Sequence, residues 1–238
     1  PMAGHSHWAT IKRKKEKEDS KRGQAFTKMI KEITVAAKIG GGDPAGNPRL
    51  RLLIEKARDI NMPIDNITRA IKRGTGELPG VSYEPMTYEG YGPHGIAIIV
   101  DTLTDNKNRT VGELRHIFGG KGGNLGETGS VSWMFEKMGV IDATGTISED
   151  ELLEKLMDFD IKDVKFDGTY FSVYTDPKSL ESVKQAIQAL NLKVEKAEVD
   201  WVAKNPVNLP EDQAKKAYVL LEALEELDDV QNVYTNLQ

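Results

Sequence analysis

The chain has 238 residues, 39% hydrophobic and 29% charged, with no cysteine, and its 32 Lys+Arg against 37 Asp+Glu leave a formal charge of -5. Without cysteine there is no disulfide framework, thiolate zinc site or cysteine nucleophile, and the longest apolar run, Ile96 to Val100, falls far short of the roughly 20 residues that span a bilayer. The average charge hides a split: residues 1–76 carry 17 Lys+Arg and 8 Asp+Glu, a charge of +9, and the rest of the chain carries -14, an asymmetry that points to a polyanionic partner.

Near its start the chain carries Lys12, Arg13, Lys14, Lys15 and Lys17, followed by Lys21 and Arg22. Acidic residues interrupt this run and no apolar stretch follows, so neither a secretory signal nor a transit peptide is expected, and the cytoplasm is the expected compartment. From Ser20, Phe26, Met29, Ile30, Ile33 and Ala37 recur on one helical face until Gly40-Gly41-Gly42. Asn47-Pro48 then reads as a cap and first turn for a helix carrying Leu50, Leu53, Ile54 and Ala57. Asp65 is the expected cap of a third helix with Ile67, Ala70 and Ile71, stopped at Gly74. None of these stripes can bury its apolar face alone, so the three predict a small bundle.

Residues 81–138 predict strands near Met86–Gly90 and Ile96–Thr102, a helix over Thr110–Phe118, and a strand around Val131–Phe135. Residues 139–204 predict a complete βαββαβ unit. A strand at Val140-Ile141 is followed by a helix opened by Ser148, two strands flank Asp167-Gly168, and a second helix carries Leu180, Val183, Ile187 and Leu190 before a strand over Lys193–Trp201. The tail adds a helix from Pro210 through Leu224 and a strand at Val230–Tyr234. The expectation is therefore an α+β multidomain protein: an N-terminal three-helix basic bundle over 1–80, a discontinuous two-layer domain from 81–138 plus 205–238, and an inserted ferredoxin-like domain over 139–204.

The chemistry points away from an enzyme. His94 and His116 are the only histidines beyond the N-terminal arm, there is no Gly-x-Ser-x-Gly elbow, and the acidic residues of the last segment lack a diagnostic partner. His5 and His7 are too few for a metal site, and no cofactor is expected. Phosphate contact, by contrast, needs only positive charge. Besides the N-terminal run, Lys28, Lys31, Arg49, Arg51, Arg58, Arg69, Lys72 and Arg73 make the bundle basic on several faces, and these are its expected nucleic-acid contacts. A membrane surface fits less well, because the apolar stripes are narrow and needed within the bundle. Trp8 is expected either to pack on the bundle or to stack on a base. Thr110 with Glu113 reads as a capping box, beside which Asn106, Asn108 and Arg109 could meet an anion at a helix start. The glycines between 119 and 129 lack the spacing of a phosphate loop, and Lys121 among them is a further candidate contact.

Together these residues also resemble a known family. Ala3-Gly4-His5-Ser6-His7-Trp8, Asn47-Pro48-Arg49-Leu50-Arg51, Asn61-Met62-Pro63, Tyr88-Glu89-Gly90-Tyr91, Asp105-Asn106 with Asn108-Arg109-Thr110, Gly122-Gly123-Asn124-Leu125-Gly126 and Leu224-Glu225-Glu226-Leu227-Asp228-Asp229-Val230 are similar to the YebC family over nearly the whole chain. His7 departs from it, standing where many relatives carry lysine. The resemblance implies three domains, a basic helical first domain and no catalytic activity. It also implies regulation of gene expression, either as DNA-binding transcriptional regulators or as translational activators and ribosome-associated factors that assist synthesis of proline-rich stretches. The expected partners are thus ribosomal RNA or duplex DNA, with ribosomal proteins as further partners and no membrane, and a monomer is favoured. With no helix-turn-helix spacing or zipper recognised, the balance falls toward RNA and the ribosome; an adaptor acting through the acidic segment is the competing class.

Overall fold

The computed structural model describes Trp8, Ile11 and residues 22–238, with seven α-helices and eight strands among them. Helices α1 (Arg22–Gly40), α2 (Pro48–Asp59) and α3 (Ile64–Thr75) form the bundle around Ile33, Leu50, Leu53, Ala57, Ile67 and Ala70. Asn47 joins two of them. Its Oδ1 accepts from the Leu50 amide at 3.1 Å, capping α2, while its Nδ2 donates to the Ala36 and Gly41 carbonyls at 3.0 and 2.9 Å, closing the end of α1. Two sequence expectations fail for α3. Asp65 is inside the first turn and makes no side-chain cap, and Gly74 is not the stop. Gly76 ends the helix at φ 84, whereas Gly74 lies where α3 crosses α1, and a Cβ there would stand 2.3 Å from the Thr34 carbonyl oxygen. Close helix approach, not chain reversal, requires that glycine.

The next sheet has the antiparallel order β3-β1-β2-β8, from β1 (Glu84–Tyr91), β2 (Ala97–Thr104), β3 (Asn124–Leu125) and β8 (Val230–Thr235). Helices α4 (Lys107–Gly120) and α7 (Glu211–Glu225) cover one face, where Ile96, Ile98 and Val100 meet Leu114, Phe118, Leu220, Leu221 and Leu224. The other face is buried as well, with Ala97 and Ile99 against Val131, Phe135, Ala203 and Tyr234, so β2 reads as a nearly continuous apolar run instead of an alternating one.

The second sheet has the order β5-β6-β4-β7, built from β4 (Phe135–Thr144), β5 (Ile161–Phe166), β6 (Phe171–Thr175) and β7 (Lys193–Ala203), with α5 (Glu149–Lys155) after β4 and α6 (Leu180–Ala189) after β6. This is the ferredoxin-like arrangement read from the sequence, with Leu152, Leu156, Val183 and Ile187 packed on Ile141, Phe171 and Val173. The strand expected at Val131–Phe135 is absent. Residues 132–134 form a 3-10 turn and Phe135 begins β4, a ten-residue strand where the sequence suggested a short one. The second sheet's strands follow one another in the chain while β8 returns to β2 of the first. On that pattern we propose the division expected above, with the second α/β unit inserted into the first. Among the described residues no helix is long and apolar enough to cross a membrane.

Candidate nucleic-acid interface

Lys12, Arg13, Lys14, Lys15, Lys17 and Lys21 lie outside the described residues. The other nine basic candidates separate into two groups. Arg22, Arg58, Arg69, Lys72 and Arg73 are exposed. Arg22 lies 5.3 Å from the Phe26 ring centroid, and Arg69 bonds within its own helix, to the Asp65 carbonyl and Asn66 at 3.3 Å each. Lys72 and Arg73 occupy the last turn of α3, and Arg58 that of α2, where cations also complement the helix dipole. Among the described residues none of these side chains pairs with a carboxylate of another helix or strand, so they can meet phosphates without breaking such a contact.

Lys28, Lys31, Arg49 and Arg51 are instead committed to holding the molecule together. Lys28 donates to the Glu225 carbonyl at the end of α7, beside Gln24, which donates to the Glu226 carbonyl. Lys31 is buried, with Nζ 3.0 Å from the Asp228 carbonyl and 3.2 Å from Asp229 Oδ1. One stripe of α1 thus reaches the carbonyl end of α7 and the turn after it, where unpaired carbonyls attract cations. From α2, Arg49 and Lys56 converge on Glu198 of β7 at 3.2 and 3.4 Å, and Arg51 meets Glu181 of α6 at 2.9 Å. Burial pushes the Glu198 carboxyl upward, but Lys56, Arg49 and Lys196 outweigh it and hold the group well below the usual carboxylate range.

The helix-start anion site is built differently from its expectation. Helix α4 begins at Lys107, three residues before Thr110, and its cap is Asn106, whose side chain accepts from the Arg109 amide at 3.1 Å. Thr110 is therefore in the first turn and the capping box with Glu113 does not form. The carboxylate beside this helix start is the protein's own Asp229, 2% exposed. Arg109 grips it twice, from Nε at 3.1 Å and from a terminal nitrogen at 2.7 Å, and Thr110 Oγ1 donates to it at 2.8 Å. Burial raises the Asp229 carboxyl, and the bonds from Arg109, Thr110 and Lys31 more than reverse that, so it titrates below its ordinary range. Arg109 also pairs with Asp105 at 2.7 Å, leaving Asn108 exposed at the rim of a recess that Glu84 and Asp105 line as well. An anion there would meet carboxylates.

Lys121 is exposed just past α4. The glycine-rich stretch after it is organised by Glu89, which stands in a family-like segment but is not among the expected site residues. Glu89 is 4% exposed, and its carboxylate accepts from the amides of Gly129 at 2.6 Å, Val131 at 3.0 Å and Ser132 at 2.6 Å. These bonds take the amides that an extended strand would have given to a ladder, which is why Val131–Phe135 is not one. Burial raises the Glu89 carboxyl and the three amides overcome it, leaving it below its ordinary value. Trp8 corrects another expectation. It is 3% exposed, its Nε1 donates to the Val233 carbonyl at 3.2 Å, and its ring lies in the core of the first sheet with Ile98, Leu220 and Leu221. It packs on the α/β layer, not the bundle, and no ring face is open to a base.

Family models match the chain almost end to end: "TACO1/YebC protein N-terminal domain" over residues 6–77 and "TACO1/YebC second and third domain" over residues 83–237. The chain belongs to the TACO1/YebC family. A "probable transcriptional regulatory protein" of Chlorobaculum tepidum is 56% identical over 99% of this chain and 95% of its own length. One from Chlorobium chlorochromatii is 55% identical over 100% and 96%. The crystal structure of a conserved hypothetical protein from Aquifex aeolicus superposes with a TM-score of 0.85 at 46% identity, covering 92% of this chain and 91% of that one. In this TACO1/YebC chain the family-like segments meet in space. Asp105–Thr110 and Leu224–Val230 close around Asp229, and Tyr88–Tyr91 pairs with Asn124-Leu125 beside the Glu89 loop.

Proposed function

We propose that this protein is a non-enzymatic, cytoplasmic regulator of gene expression that binds ribosomal RNA through its basic bundle and acts on translation at the ribosome. The observation that carries the reading is the charge of +9 over residues 1–76. Five of the described cations there, Arg22, Arg58, Arg69, Lys72 and Arg73, face solvent. A charged surface without base-reading side chains suits a folded RNA, whose phosphates and shape are recognised together. The α/β units carry the chain's net negative charge, which suits contacts with basic ribosomal proteins.

A duplex-DNA reading has its own support. Relatives are named probable transcriptional regulatory proteins, and α2 and α3 are joined by only four residues, 60–63, with Asn61 at φ 60 turning the chain. Against it, two of the three cations of α3, Lys72 and Arg73, sit in its last turn and Arg69 sits mid-helix, while a recognition helix reads bases from its N-terminal residues. Co-sedimentation with ribosomes under competition by duplex DNA at physiological salt decides between them. Retention on ribosomes in excess duplex supports the RNA reading, and release at low excess supports transcription. Reversing Arg58, Lys72 and Arg73 to glutamate leaves every inter-unit ion pair among the described residues in place. It should weaken binding and reduce the salt slope by about 2 to 3; an unchanged slope refutes the bundle as the phosphate surface.

A further inference from the structure

Among the described residues Trp133 is the largest side chain left to solvent, 65% exposed. Tryptophan is seldom left so open, and the surroundings of this one are unusually fixed. Its Nε1 donates to the Ser130 carbonyl at 3.0 Å, and Tyr91 donates its hydroxyl to the same oxygen at 3.1 Å. The Glu89 carboxylate holds the amides of Gly129, Val131 and Ser132, while Val131 and Met134, on either side, are anchored in the core between the sheets. Gly126 permits the loop to close, since a Cβ there would lie 2.6 Å from Ser130 Oγ. A buried carboxylate is costly unless fully bonded, and here all its bonds go to the loop that carries an exposed indole.

We propose that Trp133 is a stacking platform for an unpaired nucleobase, a site additional to the bundle. The indole N–H is already satisfied within the loop, so what remains to a partner is a flat π-face needing no hydrogen bond. That is what a base offers and what sequence-tolerant stacking uses. A large exposed apolar patch would mark a protein-binding surface. Of the exposed residues near Trp133 along the chain, Thr128, Gly129 and Glu136, and of Lys204 and Asn205 on the segment bonded to Met134, none is a large apolar side chain. Lys204 is held beside the platform, its amide donating to the Met134 carbonyl at 2.9 Å. It is exposed and has no carboxylate partner among the described residues, so it is placed to meet the phosphate next to a stacked base.

This inference rests on the nucleic-acid reading above, and the test separates the two. The full chain, with Trp133→Ala and Trp133→Phe, is titrated by fluorescence anisotropy with a labelled single-stranded oligoadenylate and with an abasic oligomer of equal length. Removing the ring should weaken oligoadenylate binding roughly 5- to 150-fold, as loss of one stacked base does. Phenylalanine should restore most of the affinity, and neither variant should alter binding of the abasic chain. Equal loss on both oligomers, or none on oligoadenylate, overturns the platform while leaving the bundle reading intact. Failure of the wild-type chain to bind either oligomer overturns both. Trp133→Ala converting a dimer to a monomer in analytical ultracentrifugation would assign the ring to a contact between copies, and also overturns the proposal.

Discussion

Replacing Asp229 with asparagine tests whether the bundle is locked to the α/β units by one buried carboxylate. The side chain keeps its volume and can still accept from Thr110, but it loses the charge facing Lys31 and Arg109. Arg109 is partly solvated and keeps Asp105 at 2.7 Å, so its loss is modest. Lys31 is the costly partner. Its side chain is 7% exposed and keeps only the Asp228 carbonyl, at 3.0 Å, and the Tyr83 ring, 5.5 Å from Nζ to the centroid. Leaving a buried charge without its counter-ion costs about 3–5 kcal/mol. With the carbonyl and ring retained, we expect the low end of that range, about 3 kcal/mol. Because the contact joins units, the loss should appear first as faster amide exchange in α1 and the first turn of α4. Chemical denaturation then supplies the magnitude. The carboxyl's folded value is depressed, so its stabilisation is present above the unfolded value, about 3.9, and is lost as pH falls through the folded value. Asp229→Asn should therefore lower stability at neutral pH and remove part of the acid-limb dependence. A loss under about 0.5 kcal/mol, within the range of ordinary surface substitutions, with an unchanged acid limb, refutes the lock.

Glu89→Gln removes the charge that three loop amides share, and hydrogen bonds to a charged group carry about 1.5–3 kcal/mol each. One acceptor oxygen remains, so a loss of about 2–3 kcal/mol is expected, with exchange accelerated selectively at Gly129, Val131 and Ser132. Unchanged protection there would show that the loop holds itself. Gly74→Ala places a Cβ 2.3 Å from the Thr34 carbonyl oxygen and should destabilise the bundle by about 1–3 kcal/mol in thermal or urea melts. The control is Gly112→Ala on the exposed side of α4, where nothing lies within 4 Å; it should stabilise by about 0.5–1 kcal/mol.

The parts of this fold written in local spacing were legible in advance. The stripes Phe26 to Ala37 and Leu50 to Ala57, the Asn47-Pro48 start, the Ser148 cap and the order of the ferredoxin-like unit all depend on residues close in sequence. What escaped depends on distant partners. Val131 and Ser132 look strand-like until Glu89, some 40 residues earlier, takes their amides. Gly74 reads as a stop because its neighbour across the crossing, Thr34, is invisible along the chain. Trp8 finds Val233 from 225 residues away. A signal for Glu89 did exist: a carboxylate in a strand bounded by Tyr88 and Gly90-Tyr91, with a glycine-rich stretch in need of an organising anion.

The same distinction revises the electrical split. Lys28, Lys31, Arg49, Arg51 and Lys56 all find acceptors in the most acidic part of the chain: Glu181, Glu198, Asp228 and Asp229, or the carbonyl end of α7. Residues 142–238, with 10 Lys+Arg and 21 Asp+Glu, carry -11, and part of that excess is the bundle's own counter-charge. A nucleic acid competing for Arg49 or Arg51 would have to displace carboxylates held at 3.2 and 2.9 Å, whereas Arg58, Lys72 and Arg73 offer their charge at no such cost. Counting cations along the sequence therefore overstates the phosphate-binding surface. The useful count is of cations that face water after the acidic units have docked, and it moves the expected contact from the buried faces of α1 and α2 to the outer turns of α2 and α3.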